Sequence, residues 1–258
     1  MRLVMKKHFL LVVLILSLLL PALAVAADVG LKDVIKALEV PFQSAGSGQV
    51  RDVRADFFQK SRIAALDRSQ RGRGTVSFRF EPGDDRRAPV AMFNWQYQEP
   101  SAQEIVSDGR TMWVYLPESR QVIESDLTLA GSGGAVNPVN FLSGLGNLSR
   151  DFSITFANPD TDSAGHYILD LRPQQPSPLM RNLRIVVNRD AVQARAKRSD
   201  RSYFPILSTT VTDPGDNQTT IEFSNIRVNS GLSRADFRFT PPPGVEVVKP
   251  TPGMNMGF

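Results

Sequence analysis

The sequence predicts a mainly β chain with a few helices, its strands joined into a single antiparallel sheet. Three observations carry that expectation. From Val53 onward apolar residues recur at every second position and largely keep that period. Consecutive strands are separated by turns, without the crossover helices that parallel neighbours need. Apolar residues at helical spacing occur in two places, ahead of the first strand and near residue 140. A sheet of this many strands must curl or close rather than stay flat.

The elements follow in order. Leu31, Val34, Ile35 and Leu38 fall at i, i+3, i+4 and i+7, with Lys32, Asp33 and Lys36 opposite. That spacing predicts an amphipathic helix ending around Val40-Pro41. Ser44 to Gly48 is a small-residue connector. Gly74 to Phe80 alternates, with Val76, Phe78 and Phe80 on one face and Thr75, Ser77 and Arg79 on the other. Pro82 to Asp85 reads as a turn. A strand through Phe93, Trp95 and Tyr97 stops at Pro100. Glu104 to Ser107 and Thr111 to Leu116 flank Asp108-Gly109, a pair suited to a two-residue type I′ hairpin. Pro117-Glu118 turns the chain into Gln121 to Asp126. Further strands are expected at Ser153 to Phe156, Tyr167 to Leu171, Leu183 to Asn188, Ile206 to Thr212, Thr219 to Val228 and Phe237 to Phe239.

One segment breaks the β rhythm. Gly131-Ser-Gly-Gly134 is a tether, Asn137 suits a helix N-cap, and Pro138 suits the first helical position. Val139, Phe141, Leu142, Leu145 and Leu148 line one side of the helix that follows. Gly144 and Gly146 weaken it by roughly 1 kcal/mol each. A weak, apolar, tethered helix fits a mobile lid, and it fits equally a fixed plug at one end of a barrel.

The N-terminus carries Arg2, Lys6 and Lys7, an apolar run from Phe9 to Leu20, and small residues through Ala27. This pattern predicts a secretory signal peptide over 1–27 and an exported domain over 28–258. The run is short for a transmembrane span, although an uncleaved anchor is the competing reading. Without the three leader cations, 27 basic residues stand against 26 acidic ones. The basic balance of the whole chain is therefore no nucleic-acid signal, and no nucleic-acid partner is expected.

Absences narrow the chemistry. The chain has no cysteine, and beyond the leader it keeps one histidine, His166. Thiol catalysis and Cys/His zinc sites are excluded. No G-x-S-x-G elbow presents a serine to His166, which sits in an alternating run and reads as an ordinary strand residue. Gly144-Leu-Gly146 begins like a dinucleotide loop but lacks the last glycine and a preceding βαβ unit. No enzymatic activity, metal or cofactor is expected.

Four segments, in order, resemble the LolA family of periplasmic outer-membrane lipoprotein carriers. Ala55-Asp-Phe-Phe-Gln-Lys60 is similar to the family's first strand. Phe93-Asn-Trp95, Pro100 and Ile105-Val-Ser-Asp-Gly-Arg-Thr-Met-Trp-Val-Tyr115 resemble its central stretch. Asn137-Pro-Val-Asn-Phe-Leu142 is similar to its lid helix, and Phe237-Arg-Phe-Thr-Pro-Pro-Pro-Gly-Val245 to its closing strand. The resemblance implies an open half-barrel, one strongly curved antiparallel sheet capped by a helical lid over an apolar cavity. It implies acylated lipoproteins as cargo, an ATP-driven exporter in the inner membrane as donor and an acceptor at the outer membrane, with a monomer in the periplasm between them. By match to the family, Ile35, Leu38, Phe57, Phe93, Trp95, Trp113, Phe141, Leu142 and Leu145 would line the ligand site. Arg87 would close the lid, although it lies farther from Phe93 than the family pattern places its arginine, and a solvated turn arginine is the other reading. Arg189 to Arg201 looks longer and more basic than the family's hairpin there. It reads as a docking patch for an anionic partner or as a solvated loop. On the same fold, a carrier or sensor of another acylated lipid is the alternative function.

Overall fold

The computed structural model describes residues 29–43, 48–81, 83, 90–127 and 144–249. The leader, Arg87, the glycine tether, Phe141 and Leu142 lie outside the described residues. The chain order is α1 (Leu31–Glu39), β1 (Asp52–Ile63), β2 (Arg68–Glu81), β3 (Val90–Glu99), β4 (Gln103–Ser107), β5 (Thr111–Leu116) and β6 (Gln121–Asp126). Then come α2 (Leu148–Asp151), β7 (Phe152–Thr161), β8 (Tyr167–Pro173), β9 (Asn182–Val187), α3 (Arg189–Ala196), β10 (Ile206–Thr212), β11 (Gln218–Val228) and β12 (Glu246–Val248).

The twelve strands of the described residues join one curved, unclosed sheet in the order β12-β6-β5-β4-β3-β2-β1-β11-β10-β9-β8-β7. Two antiparallel meanders make it, β1 to β6 and β7 to β11. They are welded where β1 pairs with β11, Val53 opposite Val228 and Phe57 opposite Phe223. Because directly paired residues share a face, the ladder sorts side chains across the whole sheet. One face carries Phe57, Val76, Phe78, Phe93, Trp95, Leu169, Leu183 and Ile185. We call it the inner face, since Phe42, in the 3₁₀ turn that continues α1 over Val40–Phe42, packs on Phe80 there.

The outer face is apolar only in part, and the C-terminal segment covers it over β3 and β5. Met92 of β3 forms a buried cluster with Leu232 and Phe237, and Phe239 lies over Trp113 and Tyr115 at ring separations of 6.1 and 6.0 Å. Arg79 Nη1 donates to the Leu232 carbonyl at 2.6 Å and holds that segment in place.

Several expectations are corrected. Phe237–Phe239 forms no strand; a 3₁₀ turn spans Arg234–Phe237. Its cause is a capping box in which the Asp236 carboxylate accepts from the Ser233 N–H at 2.7 Å, while Ser233 Oγ accepts from the Ala235 N–H. Pro241 to Pro243, without N–H groups, do not extend it as a ladder strand. The last strand is β12, which pairs parallel with β6, Val247 opposite Val122, so the sheet is antiparallel except at this edge. The Asp108-Gly109 hairpin is no two-residue type I′ turn. Gly109 has φ of +90° and Asp108 is not left-handed; instead the Asp108 carboxylate accepts from the N–H groups of Arg110 and Thr111 at 2.9 and 2.8 Å. Of the helix expected over Val139–Leu148, the described part is a 3₁₀ turn at Leu145–Asn147 running into α2. Arg189 to Ala196 is a helix rather than a loop. Asn188 caps it, accepting from the Asp190 N–H at 2.8 Å, and the segment's Ala191 and Val192 are buried, with α1 alongside.

Candidate functional site

The inner face is dominated by aromatic rings supplied from distant parts of the chain. Trp95 of β3 meets Phe57 of β1 edge-on at 4.8 Å and Phe78 of β2 at 5.6 Å. Phe223 of β11 lies 6.2 Å from both Trp95 and Phe78. Phe204 closes the group at 5.8 Å from Phe223, and Phe42 joins through Phe80 at 4.8 Å. Edge-to-face contacts of this kind stabilise beyond area burial alone.

Backbone detail makes room for the rings. Gly74 stands in the ladder between Phe57 and Tyr97, which meet at 4.8 Å across it. A Cβ there would fall 1.9 Å from the Gln96 carbonyl oxygen. Tyr97 keeps one polar contact, its hydroxyl donating to Gln59 Oε1 at 2.7 Å. Burial pushes its phenol up to about 12.

Helical pieces border this face. In α1, Val34, Ala37 and Leu38 are buried and Ile35 is half-buried. The 3₁₀ turn carrying buried Leu145 contacts α1, and two side chains tie them. Glu39 Oε1 accepts from the Ser149 N–H at 2.7 Å and from Ser149 Oγ at 2.9 Å; Gln43 Nε2 donates to the Gly146 carbonyl at 2.8 Å.

The structure thus gathers Phe57, Phe93 and Trp95 on one face, with Ile35, Leu38 and Leu145 in the helical pieces. Trp113 is placed elsewhere. It pairs with Val106, which pairs with Asn94, so all three point to the outer face. There its indole N–H donates to Glu124 Oε2 at 3.2 Å beneath Phe239. The reason is parity, for Trp95 is opposite Ile105 and Ile105 opposite Val114, leaving Trp113 one residue out of phase. Phe78, Phe80, Tyr97, Phe204 and Phe223 belong to the ring network but were not among the expected site residues. Alternation names the faces of β2; the register that sets Phe78 opposite Phe93 is visible only in the ladder.

The outer face also holds a groove of about 710 Å³, lined by Arg54, Asp56, Ser77, Asn94, Gln96 and Arg227 among others. Its charged and amide lining is unsuited to acyl chains. Among the described residues no helix is long and apolar enough to cross a membrane.

A curved open sheet with an aromatic inner face, bordered by the helix α1, defines the class of fold. The comparisons make this specific. The family model described as "Outer membrane lipoprotein carrier protein LolA" matches residues 48–240, and the chain belongs to that family. It is 30% identical over 232 residues to an "Outer-membrane lipoprotein carrier protein" of Bordetella avium strain 197N, covering 90% of this chain and 92% of that one. A protein of the same description from Neisseria meningitidis serogroup B is 29% identical over 160 residues, 61% of this chain and 66% of its own. Among solved structures, a LolA superfamily protein of Nitrosomonas europaea aligns over 81% of this chain and 96% of its own, with 15% identity and a TM-score of 0.36.

Proposed function

We propose that this chain is an exported carrier that shields the acyl chains of lipoproteins on its aromatic inner face. It takes them up at the inner membrane and delivers them across the periplasm to the outer membrane. Family membership and the names its relatives carry support the reading. The observation that carries it is the ring network joining Phe57, Phe78, Trp95 and Phe223, a large apolar surface with one internal hydrogen bond at its margin, Tyr97 to Gln59.

The physics calls for such a surface. Each buried CH₂ is worth about 0.8 kcal/mol, so an acylated lipoprotein does not leave a bilayer unshielded. Ring stacks without fixed polar partners can part and re-pack around flexible chains with little loss. Release then follows differential affinity, an acceptor binding the same acyl chains more tightly. In this reading residues 1–27 are the export signal, Phe141 and Leu142 complete the apolar lining, and Arg87 holds the lid closed in the empty state. An ATP-driven exporter loads the carrier, and an outer-membrane acceptor unloads it.

Titrating a fluorescent acylated peptide into the protein tests the proposal. Wild type should saturate. Trp95→Glu, at a half-buried position, should weaken binding at least tenfold, because a carboxylate among acyl chains costs several kcal/mol. Equal affinity in a folded Trp95→Glu protein would overturn the site. Preference for a free acylated lipid over the peptide would turn the reading toward a lipid carrier.

A further inference from the structure

Outside the inner face, the hairpin between β1 and β2 has features that neither stability nor cargo binding explains. It outruns its neighbour on one side. The pairing of β2 with β3 starts at Arg73 opposite Glu99, so Arg68 to Arg71 pair with β1 alone. At the apex a 3₁₀ turn over Ala64–Leu66 presents Leu66, 62% exposed, flanked by two alanines and Asp67.

Below that leucine the outer face of the hairpin is a basic ladder. Lys60 is directly opposite Arg71, and Arg73 is opposite the exposed Phe58. Arg62 stands on this face nearer the tip, and Arg68, opposite Ile63, flanks the turn on the other face, so five cations lie between residues 60 and 73 against one carboxylate, Asp67. Like charges facing each other across a ladder destabilise it. No ion pair among the described residues takes up Lys60, Arg68 or Arg71. The surrounding carboxylates are engaged: Asp67 with Arg62, Glu99 with Arg73, Asp216 with Arg181, and Asp213 with Asn217. Glu222, on β11, is opposite Phe58, farther from the tip. Outside residues 60–73 the mature sequence carries 22 basic against 25 acidic residues, so the hairpin is a local basic excess.

The tip is also braced. Asn217 Oδ1 accepts from the Ala64 N–H at 3.0 Å, and the Asn217 amide is held by Asp213 at 2.8 Å. Leu66 is therefore held out at a fixed place. The turn between β8 and β9, at the same end of the sheet, carries the exposed Leu179.

We infer that the β1–β2 hairpin is a contact for an anionic lipid bilayer, Leu66 entering the interface while Lys60, Arg62, Arg68 and Arg71 meet the headgroups. A lone apolar residue on the apex of a two-stranded ribbon needs no complementary pocket when it enters a bilayer. The ribbon is also too narrow to supply the ~800 Å² per partner of a stable protein interface. Basic residues near an anionic surface and an inserted apolar side chain are the two contributions such weak, reversible contacts use. The contact goes beyond cargo binding, since it uses none of the inner-face rings.

Cosedimentation of the empty mature protein with vesicles tests it. Phosphatidylethanolamine–phosphatidylglycerol vesicles should bind it, pure phosphatidylcholine vesicles should not, and added salt should release it. The double variant Lys60→Gln/Arg71→Gln should bind about 25-fold more weakly, at about five-fold per cation, and Leu66→Ser about tenfold. All three positions are exposed, so unfolding profiles and acyl-peptide affinity should match wild type; a failure here leaves the carrier reading untouched. Absence of binding by wild type, or unchanged binding by both variants, would overturn the inference. So would a photocrosslinker at Leu66 that captures an acidic protein while the vesicles are ignored.

Discussion

The two faces of the sheet are built from the same alternating strands and solve burial differently. On the inner face, rings from β1, β2, β3 and β11 pack on one another, and the polar contacts are marginal. On the outer face, the apolar and aromatic side chains of β3 to β6 are covered by the chain's own C-terminal segment, through Leu232, Phe237 and Phe239. Beyond that cover the outer face is stitched by directed contacts, such as the bidentate pair of Arg184 with Asp170 at 2.8 and 2.9 Å. Directed contacts resist rearrangement, because an unpaired partner is costly; ring stacks do not carry that penalty. In the proposed function the difference separates a face that stabilises the fold from a face that exchanges its own contacts for a ligand's.

Breaking the outer cover should give the largest effect. Phe237 is fully buried against Met92 and Leu232. Phe237→Ala should lower stability by about 3–5 kcal/mol in urea unfolding while leaving acyl-peptide affinity near wild type under native conditions. An affinity loss parallel to the stability loss would erase the division between the faces.

A smaller effect should come from the ion pair that anchors the same cover. The Arg234 guanidinium donates to both carboxylate oxygens of Glu81, Nε at 2.9 Å, and Arg79 Nε adds a contact at 3.3 Å. Hydrogen bonding from Arg234 outweighs partial burial and holds the Glu81 carboxyl below its ordinary value. A depressed carboxylate stabilises the fold fully above its unfolded pKa and loses that contribution as pH falls toward the folded one. Arg234 is mostly exposed, so Arg234→Gln should cost at most about 1 kcal/mol at neutral pH. The gap from wild type should close below the ordinary carboxylate range. A gap independent of pH would mean that packing, not charge, joins the two.

The smallest signal sharpens the inner face. Of the four tyrosines, Tyr97 should ionise last, near 12, in an ultraviolet titration, and Tyr97→Phe should remove that step. Ionisation of all four tyrosines together would show the inner margin to be wet.

Much of this architecture was legible in the sequence, because alternation reports on strands directly. The segments Thr111–Leu116, Gln121–Asp126 and Ile206–Thr212 match the expected bounds. The start of β2 was not visible, since Arg68 to Arg73 are polar and glycine-containing and lack an apolar beat. At Phe237–Phe239 the apolar alternation is real, but Ser233 and Asp236 impose a helical turn that no periodicity reveals. Strand β5 is apolar or aromatic on both faces, Met112 and Val114 inside and Trp113 and Tyr115 outside; only the fold tells that the second cover is the chain's own C-terminal segment. Family resemblance put both tryptophans in one site. The ladder separates them: Ser107 stands opposite Met112, which sets Trp113 opposite Val106 on the outer face, while Trp95 shares the inner face with Ile105 and Val114. The basic run after Asn188 looked like a loop because Ala191 and Val192, its two buried residues, are adjacent and few among charges.

The two tryptophans give the most direct test of the central claim, since they are the only ones in the chain and sit on opposite faces. Trp113→Phe leaves Trp95 as the sole indole, and Trp95→Phe leaves Trp113. Each single-tryptophan protein is titrated with a lipopeptide whose acyl chains carry bromine, a contact-range quencher. An acyl site on the inner face predicts saturable quenching of Trp95 and unchanged emission from Trp113. Quenching of Trp113 with Trp95 untouched would contradict the account and move the ligand to the outer face.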